Sequence, residues 1–260
     1  MFRTSARSVL VVAACAAATA LPAVAQALPP TELLGNGPKP IPLKNAAMIT
    51  MEDTGYRYRA GQQNSHLTIT LVDGGLLYVD TGTRELRQIP GTCTRRSVDR
   101  GIAAFCTIPD RFDEDRKMFL EVWPRLGDDY VDGSSLPSRF RLWVLADAGN
   151  DRVYTGAGDD FVNGAQDNDR VWGGAGDDWI RTGIGNDELW GDEGNDKLVG
   201  TDGADALHGG SGNDRVGGGS GGDRLWGDLG QDVVACGSGA DDAFLDGADR
   251  ANGCETTTRQ

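Results

Sequence analysis

Aspartate recurs every nine residues over the C-terminal half of this chain: Asp151, Asp160, Asp169, Asp178, Asp187, Asp196, Asp205, Asp214, Asp223, Asp232 and Asp241. Two residues before each stands a glycine, except at Asp167. Two residues after each stands an aliphatic residue, from Val153, Val162, Val171 and Ile180 through to Val234, with only Ala243 weak. A flexible Gly/Asp-rich linker has no reason to hold an acid and an aliphatic residue in fixed phase for eleven periods. The pattern therefore demands a stacked, repeating fold in which each repeat buries one apolar side chain against its neighbours.

The repeat reads G-G-x-G-x-D-x-U-x, and Gly173-Gly174-Ala175-Gly176-Asp177-Asp178 and Gly209-Gly210-Ser211-Gly212-Asn213-Asp214 match it in full. Over roughly 110 residues the chain resembles the RTX (hemolysin-type) calcium-binding repeat family. The resemblance implies an all-β fold, a parallel β-roll with two nonapeptides per coil and Ca2+ in its turns. The chemistry of the residues agrees. Glycines permit tight turns with positive φ and leave carbonyls uncovered, and Ca2+ takes six to eight oxygens from carboxylates and carbonyls. The eleven aspartates are the expected metal ligands. Positions 18 apart stack, which gives five same-edge pairs from Asp151 to Asp241 and four from Asp160 to Asp232. Nine ions is then the ceiling, with lower occupancy expected at the imperfect turns of Ala204, Gly222 and Asp167. No EF-hand loop occurs. One aliphatic residue per nonapeptide is a thin core, and carboxylates stacked at strand spacing repel. Metal binding and folding are expected to be one event.

The 18-residue stacking predicts two further features. Tyr154, Trp172, Trp190, His208, Trp226 and Phe244 fall on one face as a ladder of rings pointing away from the core. Such a ladder either stabilises its own strands or forms a flat strip that binds a glycan or a protein partner. We expect the N-terminal region to cover it in part. Cys236 and Cys254, also 18 apart, would meet in successive coils at about 4.8 Å, inside the disulfide window.

Charge follows the repeat. Between Ala146 and Glu255 there are 24 acidic and 7 basic residues, so that segment carries more than the whole net charge of −14. A basic nucleic-acid footprint is absent. Residues 1–25 read as a secretory signal: Arg3 and Arg7, then an apolar run from Val9 to Leu21 too short to span a bilayer, then Ala23-Val24-Ala25. Val12-Ala13-Ala14-Cys15 also resembles a lipobox, which would lipidate Cys15. No second apolar stretch of spanning length follows, so no transmembrane segment is expected. Export implies an oxidising compartment. The four remaining cysteines allow three connectivities, of which local spacing favours Cys93–Cys106 and Cys236–Cys254. Exported actinobacterial repeat proteins of this type look similar in ending on a paired cysteine followed by Glu, as Cys254-Glu255 does, and in carrying a cap with a short-range cysteine pair.

Residues 26–55 read as an extended Pro-rich segment and 56–145 as a β region. His66 to Val72 alternates, Asp73-Gly74-Gly75 turns, and Leu76 to Val79 returns. Further strands are expected at Ile102–Ile108, Phe119–Trp123 and Phe140–Leu145. Leu126 to Val131 looks like a degenerate repeat turn. The region should act as a β cap flowing into a roll at 146–255, with 256–260 as a frayed tail.

Catalytic signatures are few. Only His66 and His208 occur, and no H-E-x-x-H. Gly218-Gly219-Ser220-Gly221-Gly222 fits G-x-S-x-G in letters but lies inside the repeat rather than on a strand-to-helix elbow. The sequence therefore reads as a secreted calcium-binding protein with a structural or surface-interaction role, and not as an enzyme. The alternatives are a glycan-binding module using the ring ladder, with surface polysaccharide or protein as partner, and a secreted hydrolase.

Overall fold

The computed structural model describes residues 46–61, 64–113 and 115–259. The leader at 1–25, the Cys15 lipobox and the Pro-rich segment up to residue 45 lie outside the described residues. Among the described residues every regular element is a strand, and no helix is long and apolar enough to cross a membrane.

From Phe140 onward the chain alternates between two sheets. Phe140–Ala148, Phe161–Gln166, Trp179–Ile184, Lys197–Asp202, Arg215–Gly221 and Val233–Gly239 lie in sheet 1. Arg152–Tyr154, Arg170–Trp172, Glu188–Glu193, Ala206–Gly212, Arg224–Gly230 and Asp242–Leu245 lie in sheet 2. Each strand pairs in parallel with the next strand of its own sheet, 18 residues on: Val162, Ile180 and Leu198 are in register, as are Val171, Leu189 and Leu207. This is the parallel β-roll with two nonapeptides per coil. The aliphatic residues form one column per sheet, all at 0–1% exposure from Val153 to Ala243, and the columns face each other.

The Gly-rich half of the repeat does more than turn. In the later coils it is pleated as well. Ala206–Gly212 and Arg215–Gly221 take in their glycines and leave only Asn213-Asp214 between them. Glycine makes this possible. Gly212 and Gly221 hold φ of 139° and 146°, and a Cβ on either would collide with the backbone of the coil above. The chain can therefore bend while its amides keep pairing between coils.

The N-terminal part continues the same two sheets. Met118–Trp123 and Gly55–Arg59 extend sheet 1, and Tyr130–Asp132 and His66–Val72 extend sheet 2, all in parallel. The core columns run on into Val122 and Tyr58, and into Val131 and Leu67. Beyond them the pairing turns antiparallel. His66–Val72, Gly75–Asp80, Ile102–Thr107 and Cys93–Arg96 close sheet 2, with Cys93 bonded to Cys106. Ala46–Met51, inside the stretch read as extended, pairs antiparallel with Gly55–Arg59.

At the other end, Thr256–Arg259 pairs with Asp242–Leu245 instead of fraying. Three β-branched threonines give that segment strand preference. The Cys236–Cys254 disulfide is present, with Cα atoms 5.1 Å apart. The strand register there has slipped to 17 residues, since Val233 faces Arg250.

Candidate metal centre

All eleven repeat aspartates are buried, at 0–5% exposure, in two columns on opposite edges of the roll. The backbone produces this placement. Each Asp directly precedes its short strand, and its amide donates to Oδ1 of the Asp one coil further on: Asp151 to Asp169 at 2.9 Å, Asp178 to Asp196 at 2.8 Å, Asp205 to Asp223 at 2.9 Å. One oxygen of each carboxylate thus joins a ladder along the axis. The other oxygen has no such use. Oδ2 is buried and without a hydrogen-bond partner at every repeat Asp except Asp160.

What lies beside that second oxygen is glycine. The first Gly of the motif precedes its Asp by five residues and faces inward. A Cβ added to Gly209 would sit 2.5 Å from Asp214 Oδ2 and 2.5 Å from the Gly227 carbonyl oxygen. At Gly173 the distances would be 2.5 Å to Asp178 Oδ2 and 2.6 Å to the Gly191 carbonyl oxygen. A side-chain methyl would fill the very space on which a carboxylate and a carbonyl converge. The same arrangement serves Asp169, Asp196, Asp205 and Asp223 through Gly164, Gly191, Gly200 and Gly218, and at Gly227 Asp232 Oδ2 meets Asp249 Oδ2 in place of a carbonyl. It is altered at the remaining four, where the corresponding residues are Ala146, Thr155, Thr182 and Cys236. Asp160, beside Thr155, has both oxygens occupied, by the amides of Leu142 and Gly156.

Burial pushes these carboxyls upward. Asp178 reaches about 10, Asp151 and Asp169 about 8, Asp160, Asp196, Asp205 and Asp232 about 7, and Asp214 about 6. Asp187 and Asp223 move up for the same reason. Amide donors from the preceding coil oppose the shift, and in most cases neighbouring carboxylates add to it. Desolvated anions with an unused oxygen call for cations. Among the described residues no three His, Cys, Asp or Glu side chains converge on one point. An ion here would therefore draw most of its oxygens from backbone carbonyls, as a hard cation such as Ca2+ accepts.

The columns run further than the nine-residue period. Asp129 is buried, donates its amide to Asp151 Oδ1 at 2.8 Å and accepts the Ser65 amide on Oδ1. At the far end Asp249 accepts from Asp232 at 3.0 Å, and Glu255 Oε2 accepts from Asp241 at 2.8 Å. The spacings are 22, 17 and 14, so stepping by nine passes over all three. A second, exposed ladder flanks the first: the amides of Asn168, Asn186 and Ala204 donate to the side-chain oxygens of Asn150, Asn168 and Asn186 on one edge. On the other edge the amides of Asn195, Asn213 and Gln231 donate to the side-chain oxygens of Asp177, Asn195 and Asn213. The Asp/Asn before most repeat aspartates was its signal in the sequence.

The RTX calcium-binding nonapeptide repeat model matches residues 143–171, 163–198, 172–207, 190–225, 199–234 and 208–243. This chain carries RTX calcium-binding repeats across residues 143–243. RTX repeats of this kind bind calcium, and the oxygen cradles described above lie within the matched span. No curated protein and no solved structure matches the chain.

The ring ladder of the RTX roll lies on sheet 2, half-buried, and runs beyond the six residues expected. His66 stacks on Tyr130, and Tyr130 meets Tyr154 at a tilt of 48°. From Tyr154 to Phe244 the rings lie 4.1–6.0 Å apart and within 8° of parallel. The N-terminal strands continue this sheet past the end of the ladder and do not form a layer over it. They stack on the end of the roll because they join the same sheets. Ser220, of the chance G-x-S-x-G, lies within a strand of sheet 1, next to its last residue, and donates to Asp202 at 2.6 Å. Both histidines stand in the ring ladder of the other sheet.

Proposed function

We propose that the roll binds Ca2+ between successive coils through the repeat aspartates and the glycine carbonyls beside them. Loading then drives the folding of an exported, non-catalytic structural protein. The supporting observation is the buried, unpartnered Oδ2 of ten repeat aspartates. Each is a desolvation cost that only a proton or a cation offsets. Asp151, Asp160, Asp169, Asp178, Asp187, Asp196, Asp205, Asp214, Asp223, Asp232 and Asp241 are the proposed ligands, with Asp160 and Asp241 the weakest members. The leader-like residues 1–25 and the two cystines support export.

The test is circular dichroism of the protein without its leader. Excess chelator at neutral pH should remove most of the β signal and millimolar calcium should restore it, with site affinities on the order of 10⁻⁴ to 10⁻³ M. A β signal indifferent to both would end this reading. The glycan strip on sheet 2 is less well supported. Its rings stack face to face, so they present edges to solvent, whereas a sugar packs its C–H face on an open ring face.

A further inference from the structure

The outer face of sheet 1 differs from that of sheet 2. Along one register line stand Trp143, Phe161, Trp179, Lys197 and Arg215, followed by Val233 and Arg250. Arg181 sits one column over, beside Val199. The three rings are half-buried and meet edge to face, at 84° and 70° with centroids 5.4 and 5.2 Å apart, and do not stack face to face as on sheet 2. The Lys197 ammonium lies 4.4 Å from the Trp179 ring. Lys197 and Arg215 are direct neighbours across two strands, an arrangement of like charges that costs stability. Among the described residues no carboxylate pairs with Arg181, Lys197, Arg215 or Arg250. On sheet 2 the equivalent line is mixed: Arg170 pairs with Glu188 at 2.9 Å, and Arg224 stands beside Asp242.

A flat face with rings at one end and unpaired cations at the other, both repeating at strand pitch, fits a linear polymer with sugar rings and acidic groups. We propose that sheet 1 binds an anionic polysaccharide through Trp143, Phe161 and Trp179 on its sugar rings and Lys197, Arg215 and Arg181 on its carboxylates or sulfates. The proposal rests on the calcium reading in one respect. A net charge of −14 opposes the approach of a polyanion. Divalent ions held in the carboxyl columns would offset that negative charge and leave the unpaired cations of sheet 1 free to attract the polymer. Calcium then gates binding by neutralising a column of acids elsewhere in the roll.

The experiment compares retention of the protein, in millimolar calcium and low salt, on immobilised dextran sulfate and on neutral dextran. We expect retention on the sulfated chain alone, weakening with salt. K197Q/R215Q should weaken it about tenfold or more, as two cations facing an anionic surface provide. Trp179→Ala should weaken it too, while Arg152→Gln and Arg224→Gln on sheet 2 should leave it unchanged. Equal retention of the parent and K197Q/R215Q, or equal loss in the sheet 2 variants, would overturn the proposal. So would a single-stranded oligonucleotide that displaces dextran sulfate at lower charge concentration, which would make the partner a nucleic acid. Circular dichroism of the same samples separates the two readings. A β signal that ignores calcium counts against calcium-driven folding, whereas failure to distinguish parent from variant on the sulfated matrix counts against the sheet 1 site.

Discussion

A single missing methyl group defines each oxygen cradle. Gly209 is inward-facing, and a Cβ there would overlap both Asp214 Oδ2 and the Gly227 carbonyl. Gly209→Ala should therefore destabilise the calcium-loaded roll by ~2–4 kcal/mol, in the range of core overpacking, and remove at least one ion from the calorimetric stoichiometry. A variant with parental melting point and stoichiometry would show that the cradle is not the binding space. The aspartates themselves are unequal, which their shared spacing conceals. Asp196 has a free Oδ2 beside Gly191, whereas Asp160 spends both oxygens on amides. Calcium titration of Asp196→Asn should give a clearly lower affinity than Asp160→Asn. Equal losses would mean that the second oxygen does not select the sites. The identity of the eleven acids was legible in the sequence because each occupies the same place in an 18-residue coil. Their grading was not, because it depends on Ala146, Thr155, Thr182 and Cys236 standing where glycine stands elsewhere.

Among the elements, the coil is the unit, and each coil touches only its neighbours. That is why the strand order and the ring ladder could be read from spacing alone. It is also why reading by period failed at the ends. Between Asp129 and Asp151 the coil is four residues longer, through the segment around Gly133 to Leu136, and between Asp232 and Asp249 it is one shorter. The acid columns continue across both irregularities because hydrogen bonding, not sequence spacing, sets the register. The last coil has lost its glycine cradle to Cys236, and a covalent bond replaces it. Closing a loop of 18 residues in the unfolded chain stabilises by ~3 kcal/mol. Cys236→Ser/Cys254→Ser should lower the denaturation midpoint accordingly, with the loss appearing first as faster amide exchange in Asp242–Leu245 and Thr256–Arg259. Uniform exchange along the whole roll would argue that the bond does not act locally.

For the whole molecule, the carboxyl columns impose a pH dependence whose sign can be worked out. Without calcium, most of the repeat carboxyls sit at about 6–8 in the folded state, against an ordinary value of 3.8. The folded state then holds protons that the unfolded chain has released. Stability of the calcium-free form is greatest at or below about pH 4 and falls as pH rises to about 8. Calcium takes the place of those protons, so its binding should release protons and tighten over the same window. Thermal melts in chelator at pH 4.5 and pH 8 measure the first effect, and calorimetry in buffers of different ionisation enthalpy the second. A calcium-free melting point higher at pH 8 would contradict both.

The architecture of the N-terminal part was only partly legible. The alternation of His66 to Val72 and its return strand could be read, but nothing local indicated that these strands would extend the roll's own sheets and form no layer over the ring ladder.

The continuous parallel pairing of one coil on the next has a mechanical consequence. A pull along the roll axis loads the coils in series, each joined to the next by its own rows of hydrogen bonds, so a terminal coil can peel away while its neighbours hold. At the C-terminal end the Cys236–Cys254 bond rivets the last two coils together, and at the N-terminal end the antiparallel strands around Cys93–Cys106 form a knot of different grain. The roll is thus a spring tied off on both sides, and under the calcium reading the stiffness of the free length between would follow the ambient concentration of calcium.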